Sequence, residues 1–230
     1  MHPALHGKTL LFDVDGTIAE TEGEGHLPAF NQAFREFEIP WSWSIADYAE
    51  LLAVTGGFER MLSYARRVNY EPALTSQGHR IFRSIHQRKN ILYGERLASG
   101  LIRPRQGFTQ LIKAITEAGQ QWAVVTTTSL RNWQSLWELT ILPQGQCAPP
   151  VFAVCGEDVA QKKPSPEAYQ HAVQRLQARP DECVAIEDSV NGLQAAQGAS
   201  VPTVIVRSQF SGNEEFPGAI AVVDELSDLL

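Results

Sequence analysis

Two aspartates one residue apart, Asp13 and Asp15, close the run Leu10-Leu11-Phe12-Asp13-Val14-Asp15-Gly16-Thr17. An apolar strand that stops on paired carboxylates can present one as a nucleophile or metal ligand while the other moves a proton, as phosphoryl chemistry requires. Asp-rich turns with a following glycine also occur in ordinary loops and calcium sites, so this turn alone leaves both readings open. Three later segments favour chemistry. Ala123-Val124-Val125 is a second apolar run, ending in the hydroxyls of Thr126, Thr127 and Thr128, which suit phosphoryl oxygens. Lys162-Lys163-Pro164 sets a cation just before an expected helix start, with Ser165 as N-cap and Pro166 at the first helical position. Val184-Ala185-Ile186 runs into two adjacent acids, Glu187 and Asp188, ahead of a helix beginning near Ser189. Each segment has an ordinary use as a threonine-rich turn, a solvated lysine pair or an acidic helix start. Their shared placement at strand ends and strand-to-helix turns argues for one site.

The elements that must position these groups follow from periodicity. Residues 8–14 read as a strand, and from about Gly107 helices and strands alternate. Helices are expected over Phe108–Ala118, Asn132–Leu139, Pro166–Ala178 and Val190–Gln197, with strands over Trp122–Thr126, Val151–Val154, Cys183–Ile186 and Thr203–Val206. Such alternation calls for a parallel sheet covered on both faces, with ligands beyond the carboxyl ends of its strands. Between the first strand and this region, Phe30, Phe34 and Phe37, then Tyr48, Leu51 and Leu52, then Ile81, Ile85 and Leu92 fall at helical spacing and read as core. The expected organisation is a core domain of residues 1–18 and 101–230 and a helical cap domain of residues 19–100. Glu22-Gly23-Glu24-Gly25, Ser99-Gly100 and Arg103-Pro104-Arg105-Gln106-Gly107 have hinge-like composition. The tail has turn signals at Ser211-Gly212-Asn213 and Pro217-Gly218, then an expected edge strand near Ile220–Val223.

At 230 residues the chain is long for one layered unit and suits a core plus an insert. With 43% hydrophobic and 20% charged residues it has the composition of a soluble globule. No apolar stretch approaches the roughly 18 residues of a membrane span, and the N-terminus lacks a signal-peptide pattern. A cytoplasmic location is expected. Cys147, Cys155 and Cys183 lack zinc spacing and cannot all pair, so they read as reduced thiols. The histidines include no pair at metal-ligand helical spacing, so any metal should be a hard ion held by oxygen. Residues 60–105 carry ten basic residues and two acids, a local charge of +8 in a chain of −7. Such a field favours a small multivalent anion over nucleic acid, which would also meet the acidic remainder. The competing reading of that stretch is a solvated helix face.

On Asp13-Val14-Asp15-Gly16-Thr17, Thr126, Lys163 and Glu187-Asp188, the chain resembles the haloacid-dehalogenase-like phosphohydrolases, over roughly residues 8–18 and 105–210. The implied fold is a Rossmann-like three-layer α/β/α core with a parallel sheet and an inserted α-helical cap. Glu20-Thr21-Glu22, Ala29-Phe30-Asn31-Gln32-Ala33-Phe34, Tyr48-Ala49-Glu50-Leu51-Leu52, Thr55-Gly56-Gly57 with Glu59-Arg60, and Ile85-His86-Gln87-Arg88-Lys89 with Leu92-Tyr93 resemble the CbbY subgroup. That subgroup is associated with the Calvin cycle, and its members dephosphorylate xylulose 1,5-bisphosphate, an inhibitor of Rubisco. The resemblance implies Asp13 as nucleophile, Asp15 as acid and base, and Thr126 and Lys163 as phosphoryl-binding catalytic groups, with Thr127 the alternative hydroxyl. It implies Mg2+ as cofactor, held by Asp13, the Asp15 carbonyl, Asp188 and, directly or one shell out, Glu187. Glu22, Tyr48, Arg60, Lys89 and Arg103 become candidates for the sugar hydroxyls and a distal phosphate.

Two departures from the subgroup stand out. Its members usually carry a His-Arg pair where this chain has His26-Leu27-Pro28, displaced by a one-residue insertion in Gly23-Glu24-Gly25, and a lysine where this chain has Phe58. The expected partner is a small sugar phosphate, with no nucleic acid or membrane, and the expected state is a monomer. A sugar-phosphate mutase of the beta-phosphoglucomutase kind shares all these motifs. A phosphatase of another small monoester such as phosphoglycolate, or a non-catalytic phosphosugar-binding protein, also remains open.

Overall fold

A parallel six-stranded sheet carries the larger unit in the computed structural model, which describes every residue except Gln146 and Asn213. Its strands are β1 (Thr9–Phe12), β2 (Trp122–Val125), β3 (Ala153–Val154), β4 (Cys183–Glu187), β5 (Thr203–Val206) and β6 (Ala221–Val223). They lie in the order β3-β2-β1-β4-β5-β6, each parallel to its neighbours. The chain therefore builds outward on one side of β1, then returns to build on the other. The chain divides into two compact units, Met1–Glu20 with Arg103–Leu230, and Thr21–Ile102.

The central strands are built mostly from Leu, Val, Ile, Ala and aromatic residues because both faces are covered. Among the described residues, this unit's α-helices are α5 (Phe108–Glu117), α6 (Leu130–Leu136), α7 (Glu167–Leu176) and α8 (Val190–Gly198). Alternate residues sort to opposite faces. Leu11, Ala123, Val125 and Ala185 pack with Ala168, Tyr169 and Ala172 of α7 and Ala195 and Ala196 of α8. On the other side, Phe12 meets Phe108 of α5 and Trp122 edge to face, with ring centroids 5.8 Å apart in both pairs.

The helical unit holds α1 (Leu27–Glu36), α2 (Ile45–Leu51), α3 (Gly57–Arg67) and α4 (Ser76–Ala98), with α1 lying along α4. Its core is aromatic. Phe34 is fully buried and meets Trp41 and Trp43 edge to face, while Trp43 also touches Phe30 and Tyr48. Ser44 and Asp47 exchange side-chain and backbone hydrogen bonds at the start of α2, and the Thr75 hydroxyl accepts from Gly78 N at the start of α4. These caps satisfy amides that the helices leave unpaired.

Several boundaries differ from the sequence expectation. Glu22–His26 is not a loose hinge but a wide π-helical turn that continues directly into α1. The first helical residue of α7 is Glu167, with Pro166 as its N-cap, and Ser165 Oγ accepts from Glu167 N. Strand β3 is shorter than Val151–Val154 because Val151 bonds Trp122 O from outside the ladder and stays exposed. Helix α6 starts earlier, capped by Ser129, and widens into a π turn over Trp137–Ile141. Phe37 falls beyond the end of α1 and Ile81 on the open side of α4, so neither is core. The segment at Arg105 is not loose, since that side chain is buried. Of the tail turn, Gly212 has a positive φ, whereas Asn213 lies outside the described residues. Among the described residues no helix is long and apolar enough to cross a membrane.

Phe34→Ala is expected to cost the chain about 3–5 kcal/mol, as for other buried aromatic truncations. An unchanged urea midpoint would show that the aromatic cluster does not hold the helical unit together.

Candidate active site

Sheet register places the site. Phe12 lies beside Val124 of β2 and Ile186 of β4, so the next row at the carboxyl edge is Val125, Asp13 and Glu187. Asp13 N stays in the ladder, donating to Ile186 O at 3.0 Å. Lys163 reaches all three members of that row. Its ammonium donates to Asp13 Oδ1 at 2.7 Å, Val125 O at 2.7 Å and Glu187 Oε1 at 2.6 Å. Three donors meet three acceptors, so a buried ammonium is fully used.

Glu187 Oε1 also accepts from the Tyr169 hydroxyl at 2.6 Å, and the Lys163 ammonium lies 5.1 Å from the Tyr169 ring centroid. Tyr169 reaches the site because α7 begins three residues after Pro164 and covers the sheet face beneath Glu187. A Cβ on Gly192 would stand 1.8 Å from Glu187 Oε2, so only glycine fits against this carboxylate. Ser189, the N-cap of α8, turns the chain after Glu187-Asp188 by accepting from Gly192 N.

Asp188 faces the first turn. A Cβ on Gly16 would meet Asp188 Oδ2 at 2.2 Å, and Gly16 has φ +89°, so the turn after Asp15 needs glycine for both shape and room. Gly16 N donates to Ala19 O, which closes that turn. Behind Asp188, its carbonyl accepts from Ser211 Oγ at 2.6 Å. Thr126 follows β2, buried, with its N bonded to Val154 O and its Oγ1 accepting from Thr128 N at 3.1 Å, which leaves its hydroxyl proton to donate. Thr127 is half-buried beside it.

Asp13, Glu187 and Asp188 each offer a carboxylate oxygen, all within 4.8 Å of one another. One ammonium cannot balance three carboxylates. Burial pushes the Asp13 carboxyl up to about 8 despite the pull of Lys163, and nearby Glu187 pushes it the same way. Burial, then Asp13 and Glu187, also raises Asp188 well above the usual range. Burial alone would lower Lys163, but Asp13 and Glu187 outweigh it and keep the ammonium charged. Glu187 Oε2 is buried with no hydrogen-bond partner among the described residues. Excess negative charge, hard oxygen donors and an unsatisfied carboxylate oxygen together fit a divalent hard cation.

In the helical unit, Tyr48 OH donates to Glu22 Oε2 at 2.5 Å and accepts from Arg60 Nη1 at 2.7 Å. Arg60 also donates to Leu51 O and Val54 O, so much of its donor capacity is internal. Lys89 is buried, 2.8 Å from His26 Nδ1, with Phe30 and Tyr93 rings around its ammonium. Arg103 is exposed and belongs to the other unit. Part of the +8 stretch is paired within the fold: Arg67 with Glu50, Arg88 with Glu36 and Glu95, and Arg96 with Glu24. Phe58 lies under the Arg83 guanidinium, which sits 4.9 Å from its ring centroid. Sequence reasoning missed Tyr169 and Gly192. Their only signal was spacing, as Tyr169 lies six residues after Lys163 and Gly192 five after Glu187.

A family model described as haloacid dehalogenase-like hydrolase matches residues 8–200. The chain belongs to this family. It is 39% identical over 224 residues to the plasmid-encoded CbbY protein of Cupriavidus necator, covering 96% of this chain and 86% of that one. A crystal structure of CbbY from Rhodobacter sphaeroides in complex with phosphate superposes with a TM-score of 0.86 at 36% identity, over 96% of each chain. A mutant of that protein, in complex with xylulose-(1,5)bisphosphate, gives the same TM-score at 35% identity, again over 96% of each chain. Within the family the chain falls in the CbbY group, and it is a phosphoric monoester hydrolase.

Lys163→Ala would strand Asp13 and Glu187 without their shared cation. Breaking a buried pair from one side costs about 3–5 kcal/mol, and a thermal or urea midpoint should fall accordingly. An unchanged midpoint would mean that the carboxylates do not depend on Lys163.

Proposed function

We propose that this hydrolase is a magnesium-dependent sugar-phosphate phosphatase, acting on xylulose 1,5-bisphosphate to give xylulose 5-phosphate through a phosphorylated Asp13. The observation that carries the reading is the Lys163 ammonium bridging Asp13 and Glu187 at the carboxyl edge of a parallel sheet. The bisphosphate complex of a similar CbbY protein supports the choice of substrate.

Asp13 attacks phosphorus through a carboxylate oxygen, and the bond from phosphorus to the sugar oxygen breaks. Asp15 gives its proton to that departing oxygen. In the second half, Asp15 takes a proton from water as the water oxygen attacks phosphorus, and the bond to Asp13 breaks to release phosphate. Thr126, with Thr127 beside it, donates to phosphoryl oxygens, and Lys163 neutralises charge that develops on them. Magnesium, when bound, would offset the repulsion between an anionic nucleophile and an anionic phosphoryl group. Asp13, the Asp15 carbonyl and Asp188 would hold it, with the unsatisfied oxygen of Glu187 as a further ligand or one shell out. The helical unit acts as the cap in this reading. Its Glu22–Tyr48–Arg60 network addresses sugar hydroxyls, while Lys89, Arg60 and the exposed Arg103 address the distal phosphate.

A screen of phosphate release with magnesium over sugar mono- and bisphosphates tests the reading. Preference for a non-sugar monoester would overturn the substrate assignment. Asp13→Asn should abolish turnover in a folded protein, because the amide lacks the nucleophilic charge. Asp15→Asn should lower turnover by about 10² to 10⁴-fold, the usual scale of general acid–base catalysis. An unchanged rate in either variant would remove that residue from its role. Exhaustive chelation should stop phosphate release, and added magnesium should restore it. Full activity in the chelated enzyme would end the metal assignment.

A further inference from the structure

We infer that Arg105 is a positioning residue for this reaction, clamping from behind the turn that carries Asp15. The Arg105 side chain is buried in the core unit, and its guanidinium spends its donors on four partners. Nη1 donates to Gly16 O at 2.8 Å and to Glu20 Oε1 at 2.9 Å. Nη2 donates to Asp224 O at 2.6 Å, and Nε to Glu225 Oε2 at 3.2 Å. The Arg105 backbone N donates to Ile18 O at 2.8 Å, so both ends of the Gly16–Glu20 turn are gripped by one residue.

The other end of the clamp is fixed. Ser227 N donates to Gln106 O, and a Cβ on Gly107 would collide with the Ser227 backbone at 2.2 Å, so the last segment of the chain is seated directly on residues 106–107. Leu226 and Leu229 are buried there, and His2 N donates to Leu229 O. The guanidinium thus ties the Asp15 turn to a braced part of the fold rather than to a loose tail.

The grip extends to the second acidic loop. Glu20 Oε1, held by Arg105, also accepts from Gln209 N at 3.0 Å. Two residues along, Ser211 Oγ donates to Asp188 O, and Ser208 N donates to Ser211 Oγ. One continuous chain of bonds therefore runs from Arg105 through Glu20 and the loop after β5 to Asp188. A planar guanidinium can hold two carbonyls and two carboxylates at once, whereas a lysine ammonium offers one point of charge. Displacement of about 1 Å in a reacting group can cost roughly 10²-fold in rate, so a brace of this kind affects chemistry without touching substrate.

The inference rests on the reading of Asp15 as the proton-transfer group, and its test separates the two. Arg105→Gln should lower steady-state sugar-phosphate turnover by about 10²-fold with little change in KM. With p-nitrophenyl phosphate, whose leaving group needs no proton, the burst that reports Asp13 phosphorylation should survive. Arg105→Lys should recover part of the loss, and it carries the test if the glutamine variant fails to fold. Arg179→Gln, an exposed arginine of the same unit whose ion pairs are with Asp181 and Glu182, should leave turnover unchanged. Amide exchange at residues 16–20 should rise in the Arg105 variants and not in Arg179→Gln. Equal loss of burst and turnover, no loss at all, or unchanged exchange would overturn the inference. A wild-type enzyme that releases no phosphate from any sugar phosphate would instead bring down the phosphatase reading, and the exchange measurement would then decide the role of Arg105.

Discussion

One buried ammonium organises this protein. Lys163 satisfies Asp13, Glu187 and a strand carbonyl together, and each acceptor comes from a different strand of the sheet. Carboxylates so close in a dry setting repel one another, and without a cation they would protonate or move apart. The lysine can stand there only because the loop after β3 and the start of α7 deliver it over the edge of the sheet. Tyr169 on α7 then fixes Glu187 from below. Sheet register, helix start and charge balance are therefore a single constraint seen from three sides.

Space is set as tightly as charge. Gly16 lets the Asp188 carboxylate lie against the first turn, and Gly192 lets Glu187 lie against the start of α8. Both glycines are needed because a carboxylate occupies the volume a Cβ would take. The two acidic loops are in turn held from outside by Arg105, Glu20, Ser208 and Ser211. A small set of oxygens and one ammonium lines the carboxyl edge of the sheet, and a larger set of bonds keeps them still.

Much of this was legible in the sequence. The four strand-end motifs and the alternation after Gly107 led to a parallel α/β sheet, because hydrophobic runs and turn chemistry are local properties. The core residues Asp13, Thr126, Lys163, Glu187 and Asp188 carried recognisable types at the ends of such runs. Arg105 did not, since a buried arginine with partners 85 to 120 residues away looks like any surface cation in a basic stretch. The same limit hid the pairing inside the +8 segment, where Arg67 meets Glu50, Arg88 meets Glu36 and Arg96 meets Glu24, acids that lie outside the stretch in sequence. Phe37 and Ile81 kept helical spacing yet fell on outward positions, because spacing fixes a face but not what covers it. The wide turn at Glu22–His26 was hidden by its glycines, which read as slack and instead allow close approach, as Gly25 does beside Tyr93.

The Asp13 amide never leaves the ladder: it stays bonded to Ile186 O while its side chain stands at the edge. As the proposed nucleophile, a group rooted this way cannot lean toward a badly placed phosphorus. Tolerance has to live elsewhere, in whatever part of a guest molecule lies away from that atom. Evolution of new preferences on such a scaffold is then a matter of changing what surrounds a fixed point of attack, and a mutation that unpinned the point would forfeit every preference at once.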